Sequence, residues 1–203
     1  MQIIKDIEQR SDEWFAVRLG KFTASDALTI ANQGKGLETL ALEKATEELS
    51  RKKNGSNFIN EAMQHGIETE DEARDIYELE SGNTVEQVCF VIDNENVGCS
   101  PDGLVGDDGL VEIKCPTDKV YMQYLIDDVV KKEYYYQMQM QMLVTNRHWC
   151  DYVVYNYNFK KPIIIKRIKP DEEVMAKIAE GLMIGIEKKN EFVKKAMEKI
   201  NVK

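Results

Sequence analysis

The chain has 203 residues, of which 43% are hydrophobic and 31% are charged, and its formal net charge at pH 7 is −9. A chain of this length can bury about 70% of its unfolded surface, so its folding requires neither disulfides nor a structural metal. Its apolar runs are far shorter than the ~20 residues that span a membrane and its first residues lack a signal-peptide layout, so we expect a cytoplasmic protein without membrane contact.

Helical patterns fill the first 81 residues. Ser11 is a favourable N-cap followed by two acids, and Gly20 ends that pattern. Further on, apolar residues such as Met63 and Ile67 recur at helical spacing until the chain reaches Gly82. The predicted helices cover residues 11–20, a short stretch after residue 26, about 37–49 and about 60–81.

The hydrophobic period then changes to that of strands. Three segments separated by turn sequences predict a meander, and after Pro170 three acids suit the first turn of a long C-terminal helix. The predicted strands cover residues 84–92, 97–104, 110–115, 148–156 and 162–168, with helices at about 117–130 and 133–145. Since no linker divides the chain, we predict one domain over residues 1–203 with an α+β fold, a mixed β-sheet flanked by helices.

Cysteine and histidine are too few and too scattered to form a metal site. The four cysteines include no Cys-x-x-Cys pair, and there are two histidines. In a chain without export signals we expect four free thiols. Zinc and iron–sulfur sites are therefore not expected, and any bound metal must be held by oxygen ligands.

One predicted strand carries the strongest candidate for chemistry. Alternate side chains of a strand face opposite sides, so Glu112 and Lys114 share one face while Val111 and Ile113 enter the core. Asp102 lies on the preceding strand, across a turn, and can approach the same face. A Glu-x-Lys pattern occurs by chance about once in 200 residues, so the pattern alone favours an exposed strand with a salt bridge.

Neighbouring residues strengthen the case for a metal site. A proline and a glycine flank Asp102 and fix its backbone, and Gly66, one turn before Glu70, permits close approach of another segment. A hard divalent cation such as Mg²⁺ prefers carboxylate and carbonyl oxygens. Lys114 would orient or deprotonate a water beside it, because the field of the cation lowers the pKa of both. The oxygen ligands that these segments offer are Glu70, Asp102, Glu112 and the backbone carbonyl of Ile113.

These residues resemble the phage lambda exonuclease-like recombination nucleases, one branch of the PD-(D/E)XK superfamily. Asp102 and the run Glu112-Ile-Lys114 match the superfamily motif. Five segments occur in the order and approximate spacing of that branch, over about residues 10–157, which chance explains poorly. These segments are residues 18–25, 66–74, 99–104, 110–116 and 134–145.

The resemblance implies a restriction-endonuclease-like core and an enzymatic function. It implies processive 5′-to-3′ digestion of linear double-stranded DNA from 5′-phosphorylated ends, with Mg²⁺ as cofactor and Mn²⁺ as a substitute. The products would be 5′-mononucleotides and a 3′ overhang for phage-type homologous recombination. It also implies a homotrimeric ring around the DNA and a single-strand annealing protein as partner, in the bacterial host cytoplasm if the chain is phage-encoded.

The resemblance also assigns roles to individual residues. The metal ligands are Glu70, Asp102, Glu112 and the Ile113 carbonyl. Lys114 positions or deprotonates the water. The residues matched to the 5′-terminal phosphate site are Arg18, Ser25, Ser100 and Gln137, with Tyr134 near that pocket. Arg18 suits this role because it can bind a phosphate bidentately. The chain departs from the family in the loop after the second helix, where Lys35 stands in place of an arginine.

Two alternatives stay open at this point. The same core serves endonucleases and structure-specific nucleases, and those enzymes cut covalently closed circles, which a ring-forming exonuclease leaves untouched. The second alternative is a DNA-end-binding protein without activity, but such a protein would have no need of Lys114.

The acidic charge is concentrated in one predicted helix. Residues 61–81 hold eight acids against one base, a net charge of −7, which leaves −2 for the rest of the chain. The last helix is locally basic, and its lysines, among them Lys189, predict a mixed solvated face or a DNA entrance. For a protein that encircles DNA, we predict an acidic exterior with positive charge confined to the channel.

Overall fold

The computed structural model describes residues 1–52 and 61–200, apart from the side chains of residues 61–63 and 67. The strands in this part of the chain are short, and most have two to six residues. In chain order they are β1 (Gln2–Ile4), β2 (Phe22–Thr23), β3 (Val85–Glu86), β4 (Phe90–Ile92), β5 (Val97–Cys99), β6 (Gly103–Val105), β7 (Gly109–Lys114), β8 (Trp149–Tyr155) and β9 (Ile163–Ile168).

These strands form two mixed sheets. The first has the order β1-β4-β5-β2, in which β2 runs parallel to β5 and the other neighbours are antiparallel. The second has the order β3-β6-β7-β8-β9, in which β7 and β8 are parallel and the other neighbours antiparallel. The parallel pair β7–β8 requires a crossover, and two helices between these strands supply it.

The helices begin and end at recognisable signals. At the first of them, the Ser11 hydroxyl accepts a hydrogen bond from the backbone N–H of Trp14 at 3.2 Å, the N-cap that the sequence predicts. The helices are α1 (Asp12–Arg18), α2 (Ala27–Asn32), α3 (Gly34–Ser50), α4 (Glu61–Ser81), α5 (Asp118–Asp127), α6 (Lys132–Thr145) and α7 (Glu172–Ile200), with a 3-10 turn at Ala24–Asp26 before α2.

Helices cover both faces of the second sheet. α6 packs on β8 and reaches β4 and β5 of the first sheet, whereas α4 packs on β7 and β9. α7 packs along α2 and α3. Two apolar clusters result, a large one that includes Phe22, Leu110 and Met138 and a smaller one around Tyr77, Val111 and Ile113. The alternation of β7 therefore places Val111 and Ile113 toward α4, as predicted, and Glu112 toward α6.

The predicted helices and the α+β class are confirmed, but the three-stranded meander is wrong. The segment 84–92 contains β3 and β4, which belong to different sheets, and the segment 97–104 contains β5 and β6, which are divided in the same way. Both turns of the predicted meander do join antiparallel partners, β4 with β5 and β6 with β7, but these two pairs lie in different sheets. The start of the fourth helix at residue 60 and the apolar positions Met63 and Ile67 lie outside what the structure describes.

Two glycines in these strands permit close packing. A Cβ on Gly98 would lie 2.4 Å from the Phe90 ring, and one on Gly103 would lie 2.1 Å from Val85. Each glycine therefore lets its strand press against a side chain of a neighbouring strand. β1 and β2 have three and two residues. Strands of this length are too short to show a hydrophobic period, so the sequence did not predict them.

The thiol prediction is confirmed, because all four cysteines are free. No helix within the described ranges is long and apolar enough to cross a membrane. The prediction of a solvated lysine face on the last helix is wrong for Lys189, which is 2% exposed. Its Nζ contacts the Gly20 carbonyl at 2.8 Å, Asn96 Oδ1 at 2.6 Å and Glu48 Oε2 at 2.7 Å, because α7 packs against α3 and reaches the β4–β5 turn.

Candidate active site

Glu112 is the centre of the site. Its side chain is 1% exposed, beneath α6, and both carboxylate oxygens accept hydrogen bonds. Gln137 Nε2 donates to Oε1 and Gln141 Nε2 donates to Oε2, each at 2.6 Å, and Lys114 Nζ also donates to Oε1. A salt bridge on an exposed strand is therefore ruled out, because Glu112 is buried under α6.

Asp102 lies just before β6 and is tied to β7. Its Oδ2 accepts a hydrogen bond from the backbone N–H of Ile113 at 2.6 Å, which brings the carboxylate beside the strand that carries Glu112. Burial and the negative charge of Glu112 raise the pKa of Asp102 well above its ordinary value, Glu70 adds to the rise, and Lys114 opposes it. The two carboxylates thus form a buried site with more negative than positive charge.

Lys114 is the cation of this site. Its Nζ donates to the Ile113 carbonyl at 3.2 Å in addition to Glu112, and it lies 5.2 Å from the centroid of the Tyr134 ring. Burial would lower its pKa, but the attraction of Glu112 and Asp102 outweighs burial, so the pKa of Lys114 is raised. In this arrangement the ammonium keeps its proton, which makes it a donor that can orient an oxygen atom.

Glu70 lies at the edge of the site and is held by two arginines. Arg10 Nη2 contacts its Oε2 at 2.9 Å, and Arg74 Nη2 contacts its Oε1 at 3.4 Å. Within residues 1–52 and 61–200, no group of three or more His, Cys, Asp or Glu side chains is placed to hold a metal ion. The structure therefore brings together the other predicted ligands, Asp102, Glu112 and the Ile113 carbonyl, while Glu70 is paired with arginine.

The predicted role of Gly66 is not required by the packing. A Cβ added there would lie 3.9 Å from the Cys115 carbonyl, an ordinary van der Waals distance. The closeness of α4 to the end of β7 therefore does not depend on a missing side chain at this position.

A cleft of about 580 Å³ opens over the site. Glu70, Asp102 and Lys114 line it together with a basic residue on each side, Arg10 and Lys131. A phosphodiester in this cleft would meet both the carboxylates and cationic side chains. Tyr134 also lines the cleft, and its ring stacks on the ring of Tyr152 with 6.1 Å between centroids and 30° between planes.

Arg18 forms a second part of the site. Its Nη1 donates to Ser100 Oγ at 2.8 Å and its Nη2 to Thr23 Oγ1 at 3.4 Å, and its guanidinium lies 4.1 Å from the centroid of the Trp14 ring. Burial lowers the pKa of Arg18, although Asp26 opposes the shift. Such a half-buried guanidinium, held by hydroxyls and an aromatic ring, is already oriented for an anion.

Of the other residues predicted to bind the terminal phosphate, Ser25 and Ser100 lie near Arg18 and Gln137 does not. The exposed Ser25 hydroxyl lies 3.0 Å from Thr23 Oγ1, and Ser25 and Arg18 line one cleft of about 270 Å³. Ser100 stands two residues before Asp102 and so connects this cleft to the carboxylates. Gln137 does not join it, because its amide is hydrogen-bonded to Glu112. Its assignment to the phosphate stays a prediction.

Two residues of the site were missed from the sequence. Gln141 follows Gln137 by one helical turn, so the spacing of these two glutamines was an available signal. Arg10 offered none, because its contact with Glu70 joins residues 60 positions apart. Trp14 is half-buried, and its indole N–H donates to the Cys89 carbonyl at 3.1 Å and to Ser100 Oγ at 3.2 Å, so the ring supports the Arg18 pocket.

Comparisons with known proteins identify the family of the chain. The chain matches the YqaJ-like viral recombinase domain over residues 13–148. It is similar to an alkaline exonuclease (LHK-Exo) from Laribacter hongkongensis, at 34% sequence identity and a TM-score of 0.86, over 94% of this chain and 98% of that chain. The same enzyme in complex with dAMP gives 34% identity and a TM-score of 0.85 at the same coverage. No curated protein matches.

A more distant structure supports the fold alone. A phage related exonuclease from Haemophilus somnus 129PT has 17% identity and a TM-score of 0.64, over 87% of this chain and 96% of that chain. The predicted mixed sheet architecture with flanking helices is therefore the architecture of PD-(D/E)XK-like exonucleases. Because the family match covers more than half of the chain and LHK-Exo nearly all of it, the chain belongs to the YqaJ-like viral recombinase family of lambda exonuclease-like nucleases.

Proposed function

We propose that this chain is a divalent-metal-dependent exonuclease that degrades linear double-stranded DNA from 5′-phosphorylated ends, processively and in the 5′-to-3′ direction. The observation that carries the proposal is the placement of two carboxylates, the half-buried Asp102 and the buried Glu112, beside the Lys114 ammonium. Ser100 connects them to the Arg18 pocket. The relation to an alkaline exonuclease supports it, as does the complex of that enzyme with dAMP, a mononucleotide of the kind such a reaction releases.

The donors fit a hard divalent cation. Asp102, Glu112 and the Ile113 carbonyl offer oxygen atoms, and the pKa of Asp102 is raised by burial and by the charge of Glu112, effects that a bound cation would offset. We propose Mg²⁺, with Mn²⁺ as a substitute. Glu70 would be a further ligand once it is released from Arg10 and Arg74. A bound cation would stabilise charge on the scissile phosphate and acidify a bound water.

Residues of the chain would orient the attacking water and bind the terminal phosphate. Lys114 orients the attacking water by donating a hydrogen bond, the role that its raised pKa favours over that of a base. The water oxygen attacks phosphorus and the P–O3′ bond breaks. The proton that the water loses passes to solvent, and the departing 3′ oxygen takes a proton from solvent, so that no net proton is gained or lost. The 5′-terminal phosphate is held by the Arg18 guanidinium and the hydroxyls of Ser25 and Ser100, with Gln137 as a further assigned contact. Tyr134 borders the nucleotide.

The assembly and setting are also part of the proposal. We propose a homotrimeric ring around the DNA, with an acidic exterior and a basic channel, that works in the cytoplasm with a single-strand annealing protein to prepare 3′ overhangs for recombination. These statements rest on the family membership. Light scattering of the purified protein tests the ring, and a monomer in the presence of duplex ends would contradict it.

Digestion of end-labelled duplexes tests the activity. Linear DNA with 5′-phosphate ends should release mononucleotides in Mg²⁺ and not in chelator, and DNA with 5′-hydroxyl ends should be cut more slowly. Labels at the 5′ or the 3′ end report the polarity, and covalently closed circles are the control for the need of a free end, since an exonuclease leaves them intact. Cleavage of the circles would instead identify an endonuclease. Binding of linear ends without release of nucleotides in Mg²⁺ would identify a DNA-end-binding protein.

A further inference from the structure

Gln141 is a buried polar side chain to which no role in the reaction has yet been given. It is 0% exposed and lies on α6, one helical turn after Gln137, so both side chains project to the same side of the helix. Its Nε2 donates a hydrogen bond to Glu112 Oε2 at 2.6 Å. Gln141 is therefore in direct contact with the central carboxylate but is shielded from the cleft.

The donors around Glu112 are divided between its two oxygens. Oε1 accepts from Gln137 and from Lys114, whereas the donor on Oε2 is Gln141. Hydrogen bonds on opposite oxygens fix the plane of a carboxylate, which one-sided contacts leave free to rotate. Lys114 and Gln137 also line the open cleft, where solvent and substrate compete for them. Gln141 is thus the contact that solvent reaches least.

The other end of the same amide has no partner. Among the described residues, no donor reaches the buried Oε1 of Gln141. Rotating the amide by half a turn would point its oxygen at Glu112 Oε2, which would place two acceptors against each other. The observed orientation therefore satisfies Glu112 and leaves Oε1 without a hydrogen bond, an arrangement that costs stability.

A second glutamine on the same helix provides a contrast. Gln139 is also 0% exposed, but it faces away from Glu112. Its Nε2 donates to the Lys169 carbonyl at 2.9 Å, and its Oε1 accepts from the backbone N–H of Asp171 at 2.8 Å. Both ends of this amide are satisfied, and both contacts fix the chain before α7. Gln139 therefore has the environment of a structural residue, and Gln141 does not.

We propose that Gln141 is a positioning residue of the nuclease reaction, which acts by holding the Glu112 carboxylate in the orientation that binds the divalent cation. This inference rests on the proposed function. The unsatisfied Oε1 of Gln141 is then explained by the hydrogen bond that its Nε2 donates to Glu112. The helix α6 would therefore support the metal site as well as line the cleft. Supporting hydrogen bonds of this kind affect metal affinity or activity by about 10- to 100-fold.

The test compares Gln141→Met with the matched control Gln139→Met, since methionine is similar in size to glutamine and apolar. Three quantities are measured on each purified protein: the dissociation constant for Mn²⁺ by calorimetry, kcat and KM on linear duplex DNA, and the midpoint of thermal unfolding. For Gln141→Met we expect about 10- to 100-fold weaker Mn²⁺ binding and a similar fall in kcat, with KM for DNA unchanged. For Gln139→Met we expect a lower unfolding midpoint and unchanged Mn²⁺ binding.

Several results would overturn the inference. Wild-type Mn²⁺ affinity in Gln141→Met would overturn it, as would an equal loss of affinity in both variants. If Gln141→Met does not fold, Gln141→Asn is measured in the same way, because it keeps the amide but withdraws it from Glu112 by one methylene. If neither variant folds while Gln139→Met does, Gln141 is structural and the inference is wrong. If the wild-type protein binds no Mn²⁺ and releases no nucleotides, the proposed function itself fails.

Discussion

Two buried carboxylates lie on neighbouring strands of the second sheet and differ in how their negative charge is balanced. Asp151 on β8 is 2% exposed and Glu112 on β7 is 1% exposed, and the register of the parallel pair places them on opposite faces. Asp151 receives a bidentate ion pair from Arg167, at 2.8 Å to each oxygen, and a hydrogen bond from the Tyr77 hydroxyl at 2.8 Å. The negative charge of Asp151 is therefore balanced by the positive charge of Arg167.

Glu112 forms hydrogen bonds with two glutamines and a lysine and, among the described residues, has no ion pair with an arginine. Its cation, Lys114, is shared with Asp102, and burial together with the negative charge of Glu112 raises the pKa of Asp102. Both acids are buried and hydrogen-bonded, so burial alone does not distinguish a structural carboxylate from a functional one. The difference is charge balance: Asp151 is paired with its own arginine and contributes to the fold, whereas Asp102 and Glu112 share one lysine, and we propose that a divalent cation supplies the missing positive charge.

Substitution of Lys114 should give the largest effect. With Lys114→Ala, nucleotide release should fall by at least about 1000-fold, because the loss of the water-orienting ammonium and of its charge removes several kcal/mol of transition-state stabilisation. Binding of DNA ends should persist, as measured by fluorescence anisotropy. The exposed-surface control is Lys194→Ala, which should cleave normally. Turnover near the wild-type rate in Lys114→Ala would remove this residue from the mechanism.

Substitution of Asp151 should separate stability from activity. Asp151→Ala should lower the free energy of unfolding by about 2 kcal/mol, because Arg167 and Tyr77 lose their buried partner while the half-exposed Arg167 can regain water. Urea denaturation measures the loss, with the exposed Asp107→Ala as control. Cleavage per folded molecule should stay unchanged. A metal-binding defect in Asp151→Ala would show that the two carboxylates are not independent.

Arg167 and Arg18 differ in the same way as the two carboxylates, and substitution of Arg18 should have a smaller effect. Arg167 is committed to a carboxylate, whereas the hydrogen bonds of Arg18 go to the hydroxyls of Ser100 and Thr23. Arg18→Lys keeps the charge but loses the planar donors and the stacking on Trp14. We expect the preference for 5′-phosphate over 5′-hydroxyl ends to fall by about tenfold, measured as a ratio of initial rates. An unchanged ratio would place the terminal phosphate elsewhere.

The smallest expected effect is a gain of stability. In chelator, Asp102→Asn should raise the free energy of unfolding at pH 8 by on the order of 1 kcal/mol, within the usual range of single substitutions. The sign follows from the raised pKa of Asp102 in the folded protein, because such a group opposes folding increasingly as the pH rises past its unfolded pKa. At low pH the two proteins should converge. Asp151→Asn is the control, and it should be destabilising.

Much of the site was predictable because it depends on local geometry. The two-residue period of β7 predicts that Glu112 and Lys114 share a face, and the short turn between β6 and β7 keeps Asp102 beside them. The ordered motifs also predicted the family. The division of this region between two sheets was not predictable in this way, because β3 and β4 read as one apolar run although β3 pairs with β6, and because the pairing of β4 with β1 joins residues far apart in the chain.

The sequence by itself therefore determined the secondary structure of the long elements, the fold class and the family, since periodicity, caps and motif spacing are properties of contiguous residues. Only the tertiary structure decided how these elements use their side chains. It buried Glu112 under α6, paired Glu70 with Arg10, and placed Lys189 against Gly20, 169 residues away. The charge balance of a buried site depends on such distant partners, because electrostatic and hydrogen-bond energies are set by distance in space.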